Sequence, residues 1–254
     1  MKTEKIKGFV LKGHPFGESH KMISLFSREL GKLKVIAHGV RKTTSRYGSA
    51  FELLNEVSLV ISPTREAELY NIKEHSIVSS CHPIRESYSG IQLLYYLSEF
   101  LSLFVHENMA NDGLYNILSQ TLKAMSTNKK SGYELVKSFE LKSLQELGFL
   151  SELEHCSQCG TSIDERLKNA GTSLSVTSRG GWIVCDMCRN PQIDQDISQG
   201  TYRYFLKLLR EQMDKVCRVR INGNMRVETD LAFERLMISI VGRKLKASRW
   251  QSAV

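Results

Sequence analysis

The sequence predicts an α+β protein of several domains: an N-terminal β-barrel, a helical bundle in the centre and at the C-terminus, and a zinc-ribbon module held by four cysteines. Three observations predict this fold class. Short alternating apolar stretches fill residues 1–80, as in strands with one buried face. Apolar residues then recur at helical spacing from about residue 81 onward. Two CxxC pairs interrupt the helical part, at 156–159 and 185–188.

Five short strands are predicted in the first 80 residues. In the clearest of them, Lys32–His38, every second residue is apolar and most residues between are basic. Its apolar face holds Leu33, Val35 and Ala37, and its outer face holds Lys32, Lys34, Ile36 and His38. The other four strands are Lys5–Lys12, His20–Ser27, Glu52–Ile61 and a stretch within Glu66–Val78. Five strands in so short a segment are typical of a small closed barrel of the OB or SH3-like kind.

Helices are predicted through the middle of the chain. Ile91–Val105 is apolar nearly all round, which indicates a helix that is buried on most sides. Asp112 can cap a second helix that runs to about Met125. A third helix, Tyr133–Leu147, is amphipathic, and Gly148 follows it as a C-terminal stop.

Two further helices, Thr201–Lys215 and Val227–Lys246, complete the predicted elements. We therefore expect an organisation of four parts: a barrel over residues 1–80, a helical domain over 81–152, a zinc module over 153–192, and C-terminal helices over 193–254 that pack on the helical domain. No internal repeat or low-complexity tract breaks this order.

The four cysteines of the two CxxC pairs are the predicted ligands of one structural zinc ion. Each CxxC turn aims two thiolates at one point, and two such turns complete a tetrahedron. The ligands are Cys156, Cys159, Cys185 and Cys188, with 25 residues between the pairs. The alternative is a redox CxxC, but that motif normally stands alone at the start of a helix. His155 is an adjacent further candidate, whereas Cys81 and Cys217 are interpreted as small buried hydrophobic residues.

The charge of the chain is +8 and is unevenly distributed. Residues 1–50 carry 11 basic and 3 acidic side chains, and residues 200–254 carry 12 and 5, while the middle of the chain is acidic. Concentrated positive charge attracts polyanions, most often nucleic acid. The alternative interpretation is a solvated basic surface that serves solubility alone.

A basic hairpin and the loop after it form the predicted nucleic-acid-binding surface. Its cations, which contact phosphates, are Lys32, Lys34, Arg41, Lys42 and Arg46. Tyr47 lies next to them and can stack on a base. Packing of Tyr47 on the edge of the barrel is an equally good interpretation.

Signatures of common enzyme classes are missing from the sequence. It contains no phosphate-binding loop, no dinucleotide fingerprint, no zinc-protease helix motif and no nucleophile elbow. A thiol oxidoreductase and a nuclease remain as enzymatic alternatives, and an RNA-binding module remains as a non-enzymatic one. The sequence also has neither a signal peptide nor an apolar stretch of membrane-spanning length, so we expect a cytosolic protein.

The N-terminal segment resembles the bacterial recombination mediator family RecO. The residues that carry this resemblance are Gly17-Glu18-Ser19, the strand end Leu25-Phe26-Ser27, Gly31-Lys32, and Ala37-His38-Gly39-Val40-Arg41-Lys42 leading to Ser45-Arg46. The later run FELKSLQELGFLSELEHCSQCG, at 139–160, is similar to the join between helical and zinc parts in that family. The resemblance covers nearly the whole chain.

The resemblance implies an OB-fold followed by a helical bundle and a zinc module, and a mediator rather than an enzyme. It implies binding of single- and double-stranded DNA and annealing of complementary strands. It also implies partners: RecR, the C-terminal tail of single-strand-binding protein, and indirectly RecA, all in the bacterial cytoplasm near the nucleoid. Carried onto this sequence, the DNA-facing residues are Lys34, Arg41, Lys42 and Arg46.

Overall fold

The chain divides into two compact units. A computed structural model describes residues 3–41, 45–65, 69–128, 132–168, 173–178 and 180–247. The first unit consists of residues 1–122 and 246–254, and the second of residues 123–245. Residues 81–122, which the sequence assigned to the helical domain, therefore lie with the barrel.

The first unit contains a closed five-stranded barrel. Its strands are β1 (Glu4–Phe16), β2 (His20–Ser27), β3 (Gly31–Ala37), β4 (Glu56–Pro63) and β5 (Leu69–Ser79). They follow the order β1-β2-β3-β5-β4, and β1 pairs with β4 to close the barrel. The pairing of β3 with β5 is parallel and the others are antiparallel. This is the strand order of an OB-type barrel, which confirms the predicted fold.

The barrel core is formed by the alternating apolar residues of all five strands. Leu33, Val35 and Ala37 of β3 are buried as predicted, at 3%, 0% and 0% exposure. Strand β4 begins at Glu56 rather than Glu52, because the residues before it form turns. Asn55 stabilises these turns, since its amide group donates to the carbonyl of Ser49 at 2.8 Å.

The barrel is followed by the helices α1 (His82–Arg85), α2 (Tyr88–Phe104) and α3 (Asp112–Thr127). The boundary between the two units falls within α3, after residue 122. The side chain of Asn111, not the predicted Asp112, caps α3, because its oxygen accepts from the N–H of Leu114 at 2.7 Å. Tyr88 and Tyr95 of α2 are 73% and 60% exposed, so α2 is less enclosed than its apolar sequence predicted.

The end of α2 and the segment after it, residues 102–109, pack on the outside of the β2–β3 hairpin. The N–H of Lys32 donates to the carbonyl of His106 at 3.1 Å. Gly31 has a φ of +68°, and a Cβ there would lie 2.3 Å from the carbonyl oxygen of Met109. The outer face of β3 was predicted to be basic, and residues 102–109 cover part of it.

The second unit combines helices with a small sheet. Its elements are α4 (Gly132–Glu146), α5 (Ile163–Leu167), β6 (Leu174–Val176), β7 (Ile183–Cys185), β8 (Gln195–Ile197), α6 (Gln199–Arg210), α7 (Met213–Val216) and α8 (Gly223–Val241). The sheet has the order β7-β6-β8, and both pairings are antiparallel. Gly148 ends the α4 segment with a φ of +78°, as the sequence predicted.

The predicted helix Thr201–Lys215 is interrupted. Glu211 is extended, with φ −72° and ψ 146°, and separates α6 from α7. The ammonium group of Lys142 stabilises this break, because it donates to the carbonyls of Leu209 and Glu211 at 2.6 and 2.9 Å. The next helix, α8, ends at Val241 rather than at Lys246, since Gly242 adopts a left-handed conformation.

A buried ion pair lies inside the second unit. Lys137 and Glu140 of α4 are 0% and 1% exposed at their side chains, and their charged atoms are 3.0 Å apart. Asp230 of α8 lies 3.7 Å from the same ammonium group, which also sits 4.3 Å from the centroid of the Phe233 ring. Removal of one partner from a buried pair leaves an uncompensated charge in an apolar environment.

We predict that Gly31→Ala destabilises the protein by about 2–4 kcal/mol, since it adds a left-handed alanine and a collision with Met109. Gly48→Ala is the matched control, because Gly48 also has a positive φ but has no atom within 4 Å of its added Cβ. We expect that control to lose only about 1 kcal/mol. Urea unfolding of both variants measures the difference. Equal losses would show that the packing of residues 102–109 does not restrict position 31.

We predict that Lys137→Met costs about 3–5 kcal/mol of unfolding free energy, because Glu140 loses its buried counter-ion. The double variant Lys137→Met/Glu140→Leu should recover most of that loss, since both charges are then gone. A double-mutant cycle by urea unfolding tests this expectation. Additive losses in the double variant would contradict it.

Candidate metal centre and nucleic-acid interface

The four predicted cysteine ligands converge in the second unit. Their Sγ atoms all lie within 4.8 Å of one another. The first pair is held by a tight turn, in which the N–H of Gly160, at a φ of +70°, donates to the carbonyl of Cys156 at 2.8 Å. The second pair begins at the last residue of β7, and the N–H of Cys188 donates to the carbonyl of Cys185 at 3.1 Å. The sequence therefore predicted the composition of this cluster correctly.

The geometry of the cluster fits a four-coordinate metal ion. Two sulfurs bound to one Zn²⁺ at about 2.3 Å in a tetrahedron are separated by about 3.8 Å. The Sγ atoms of Cys159 and Cys185 are 3.8 Å apart, which is far longer than a disulfide bond. All four cysteines are free thiols. These residues can hold a structural metal ion with a closed shell of four sulfur ligands.

The thiols of the cluster have pKa values shifted in opposite directions, since burial raises those of Cys185 and Cys188. Hydrogen bonds from the side chain and backbone of Thr161 lower the pKa of Cys159 to about 6. The N–H of Cys185 donates to Sγ of Cys156 at 3.4 Å, which also favours a negative sulfur. Cys156 and Cys185 are buried, whereas Cys159 is exposed, so one corner of the site faces water.

The remaining candidates for metal binding lie elsewhere. His155 points its Nδ1 to Glu152 at 3.6 Å, and the metal-binding cluster found among the described residues contains only cysteines. Cys81 is buried as predicted, and burial raises its pKa to about 11. Cys217 is only half-buried, and its thiol donates to the carbonyl of Asp214 at 3.0 Å.

Trp182 connects the cysteine ribbon to the helices of the second unit. It precedes β7, is 1% exposed, and adopts a φ of +140°, which is unusual for a residue other than glycine. Its indole stacks on Phe205 of α6 at 4.7 Å between ring centroids and meets Phe233 of α8 edge-on at 5.3 Å. The strained backbone is held because the large side chain fills the core between these helices.

Two lysines of the predicted DNA-binding hairpin are engaged within the protein. The ammonium group of Lys32 donates to the carbonyl of Ser102 at 3.0 Å. Lys34 forms an ion pair with Glu107 at 3.0 Å, and its side chain is 42% exposed. Both contacts come from the segment that covers the outer face of β3. The alternation pattern predicted a basic face but gave no sign of this cover.

The loop after β3 carries the exposed cations of the predicted surface. Arg41 is exposed, and its backbone N–H donates to the carbonyl of Ser19 at 3.1 Å. Arg46 is also exposed, and its guanidinium lies 5.0 Å from the centroid of the Tyr47 ring. Lys42 lies outside the residues that the structure describes. Arg41 and Arg46 are thus the most exposed cations of this set among the described residues, while Lys34 is partly exposed and ion-paired.

Tyr47 packs on the barrel, which is one of its two predicted roles, and is not available for stacking on a base. Its ring is 2% exposed, packs with the barrel core, and lies 5.2 Å from the Phe51 ring and 4.9 Å from the His75 ring. A base cannot stack on a face that is already covered. Burial also lowers the pKa of the neighbouring His75, with Arg46 as a second cause.

Two family models match almost the whole chain. The model described as recombination protein O, N terminal, matches residues 1–81, and the model described as recombination protein O, C terminal, matches residues 85–249.

The chain belongs to the RecO family.

Curated relatives carry the same family name. The DNA repair protein RecO of Dehalococcoides mccartyi strain BAV1 is 28% identical over 97% of this chain and 94% of that protein. The protein of the same name from Pelotomaculum thermopropionicum is 28% identical over 97% and 93%, and that from Thermoanaerobacter sp. strain X514 is 26% identical over 91% and 89%. The resemblance to RecO is confirmed, and with it a role in DNA repair and recombination.

The family match divides the chain near the end of the barrel, between residues 81 and 85. The N-terminal family region thus contains the OB-type barrel, and the C-terminal region contains the helices and the cysteine cluster. Neither the family descriptions nor the names of these relatives include a catalytic activity. Among the described residues of this RecO chain, no helix is long and apolar enough to cross a membrane.

Sequence reasoning placed His38 on the outer face of the third strand but missed two rings beside it, Phe16 and His20, at the far end of the barrel hairpin. Phe16 lies on β1, His20 on β2 and His38 directly after β3, and Phe16 is 40% exposed. The sequence contained one signal for them, since Phe16 and His20 flank the short turn of residues 17–19. Such a turn places its flanking residues opposite each other in an antiparallel hairpin.

We predict that one metal ion per chain co-purifies with the protein and that a strong chelator removes it. Loss of the ion should release the ribbon and expose Trp182, so its fluorescence should shift to longer wavelength. Trp250→Phe leaves Trp182 as the only tryptophan. Cys185→Ser should lose the ion and show the shifted emission without chelator. The control Cys217→Ser should keep the ion and the unshifted emission. A chain that purifies without metal and whose emission is unchanged by the chelator would contradict the assignment of the four cysteines as metal ligands.

Proposed function

We propose that this protein is a non-enzymatic mediator that binds single- and double-stranded DNA and anneals complementary strands. In this proposal it acts with RecR to help load RecA onto strands covered by single-strand-binding protein. Membership of the RecO family and the OB-type barrel support it. The observation that carries it is the pair of exposed arginines, Arg41 and Arg46, on a long connection of that barrel.

The proposed mechanism is electrostatic capture of the strand backbone. Arg41 and Arg46 would bind phosphates, and Lys42 belongs to the same short basic segment of the sequence. Lys32 and Lys34 would contribute less, because each already contacts the segment 102–107. Phosphate contacts carry no sequence information, so capture would be independent of sequence and would weaken with salt.

A second basic region supports the annealing step. Arg203 and Lys207 lie on the exposed side of α6, one turn apart, in the C-terminal segment with its excess of positive charge. Two separate sites that hold two strands raise their effective concentration toward each other. Arg210 on the same helix is less available, since it pairs with Glu154 at 2.8 Å.

The remaining parts of the proposal concern the metal, partners and location. The ion would be one structural Zn²⁺ per chain, since four thiolates in a closed shell are typical of structural zinc sites. Partners would be RecR and the acidic tail of single-strand-binding protein, in the cytoplasm of a bacterial cell at the nucleoid. The bacterial relatives support that location.

We predict that the protein anneals two complementary oligonucleotides, one of them coated with single-strand-binding protein. The variant Arg41→Ala/Lys42→Ala/Arg46→Ala should lose most of this activity, because it removes three phosphate contacts. The plot of log binding constant against log salt concentration for single strands should become shallower by about 2 in slope, compared with the intact protein. The matched control Lys5→Ala/Lys7→Ala/Lys73→Ala removes the same charge from exposed barrel positions and should anneal normally.

Other outcomes of this experiment are informative. Annealing retained in the loop variant would move the DNA site to the C-terminal helices. No annealing by folded, metal-loaded protein would refute the mediator proposal. Tighter binding of RNA than of DNA of equal sequence would favour an RNA-binding module instead.

A further inference from the structure

Three rings form a row across the end of the first three strands. The register of β1 and β2 pairs Phe16 with His20, so their side chains lie on the same face of the hairpin. His38 follows the end of β3, and its ring meets that of His20 edge-on with 4.8 Å between centroids. The row therefore runs from β1 through β2 to the end of β3.

This row lies on the face of the barrel that OB-folds use for oligonucleotides. Side chains alternate along a strand, so His20 shares the outer face of β2 with Met22, which pairs with Ile36 of β3. Barrels of this type bind oligonucleotides on the face of strands 2 and 3, beside the loop between strands 1 and 2. That loop is residues 17–19, directly beside the row.

The rings are accessible at this end of the barrel. Phe16 is 40% exposed, His38 is exposed, and His20 is half-buried. The opposite end of β3 is different, because Lys32 and Lys34 contact Ser102 and Glu107 there. The cover that closes one end of the outer face thus leaves the aromatic end open to solvent.

Hydrogen bonds hold the two imidazoles in place. Nδ1 of His20 accepts from the N–H of Gly39 at 3.0 Å, so the neutral ring carries its proton on Nε2. Nε2 of His38 lies 2.8 Å from Oδ1 of Asn71 on β5. Rings that are already ordered lose little entropy when a planar ligand stacks on them.

A cation lies beside this row. The N–H of Arg41 donates to the carbonyl of Ser19, which fixes the start of the basic loop to the hairpin turn next to His20. Arg41 is exposed and can reach a phosphate while a base contacts the rings. Stacking rings next to a cation are the combination by which proteins bind single strands without reading sequence.

We propose that Phe16, His20 and His38 form a base-stacking platform for single-stranded DNA, with Arg41 as its phosphate contact. This inference rests on the proposed function and deepens it, because it assigns the residues that contact bases. Stacking uses the faces of the bases and leaves their edges free to pair with a second strand. Bases in a duplex present no free face, so the platform distinguishes unpaired strands from duplex DNA.

The test compares a thymine oligonucleotide with an abasic oligonucleotide of the same length and phosphate number. The intact full-length protein should bind the thymine strand about 10-fold more tightly, since only that strand can stack. Phe16→Ala/His38→Ala should reduce this ratio to near 1 and leave the salt slope unchanged, because the phosphate contacts remain. His20 is left in place, since it also holds Gly39.

Matched variants separate stacking from apolar burial and from misfolding. Phe16→Trp should keep the ratio, whereas Phe16→Leu, which is apolar but has no ring, should lose most of it. Tyr95→Ala removes another exposed aromatic from the same unit, on α2, and should change nothing. Circular dichroism and urea unfolding of each variant confirm that it is folded.

The outcomes distinguish the stacking platform from the proposed mediator function on which it rests. An unchanged ratio in folded Phe16→Ala/His38→Ala, with salt-dependent binding intact, would overturn the platform and leave the mediator function standing. An equal loss of affinity for thymine and abasic strands would also overturn it, because the rings would then only support the loop. No binding of any DNA by intact protein would remove the mediator function and the platform together.

Discussion

The contact between residues 102–109 and the β2–β3 hairpin determines which part of the barrel's outer face is covered and which part is open to solvent. Gly31 permits this contact, because its positive φ and missing side chain let the backbone of Met109 approach closely. Lys32 and Lys34 then satisfy polar groups of the covering segment. Part of the outer face of β3 is thereby covered, and its two lysines are engaged by the covering residues. The exposed end of the face, with its rings and Arg41, is what remains for a ligand.

In the second unit, a very small sheet depends on contacts outside its own strands. Its three strands have three residues each, too few to be stable alone. The sheet is fixed at two points close in sequence. Cys185 ends β7 within the thiol cluster, and Trp182 just before β7 enters the core between α6 and α8. A thiol cluster that can hold a metal ion and an aromatic core therefore meet at the same strand.

The sequence predicted what depends on local pattern and chemistry. The bounds of β2 and the buried face of β3 follow from alternation, and the thiol cluster follows from the spacing of two CxxC pairs. It did not predict what depends on distant packing. Local pattern left two positions open for Tyr47, and the cover over Lys34 arises from contacts with other elements, which alternation cannot reveal. The break at Glu211 depends likewise on Lys142, far away in the chain.

Electrostatic capture alone would not give the preference for single strands that the proposed function requires. A duplex has the higher density of phosphate charge, so a surface made only of cations binds it at least as well. Preference for unpaired strands requires a contact that a duplex cannot make, and a free base face is such a contact. Because stacking carries no net charge, salt screens it far less than it screens the contacts of Arg41 or Arg46. A barrel that combines Phe16 and His38 with Arg41 would therefore grow more selective for single strands as salt rises, even while its total affinity falls.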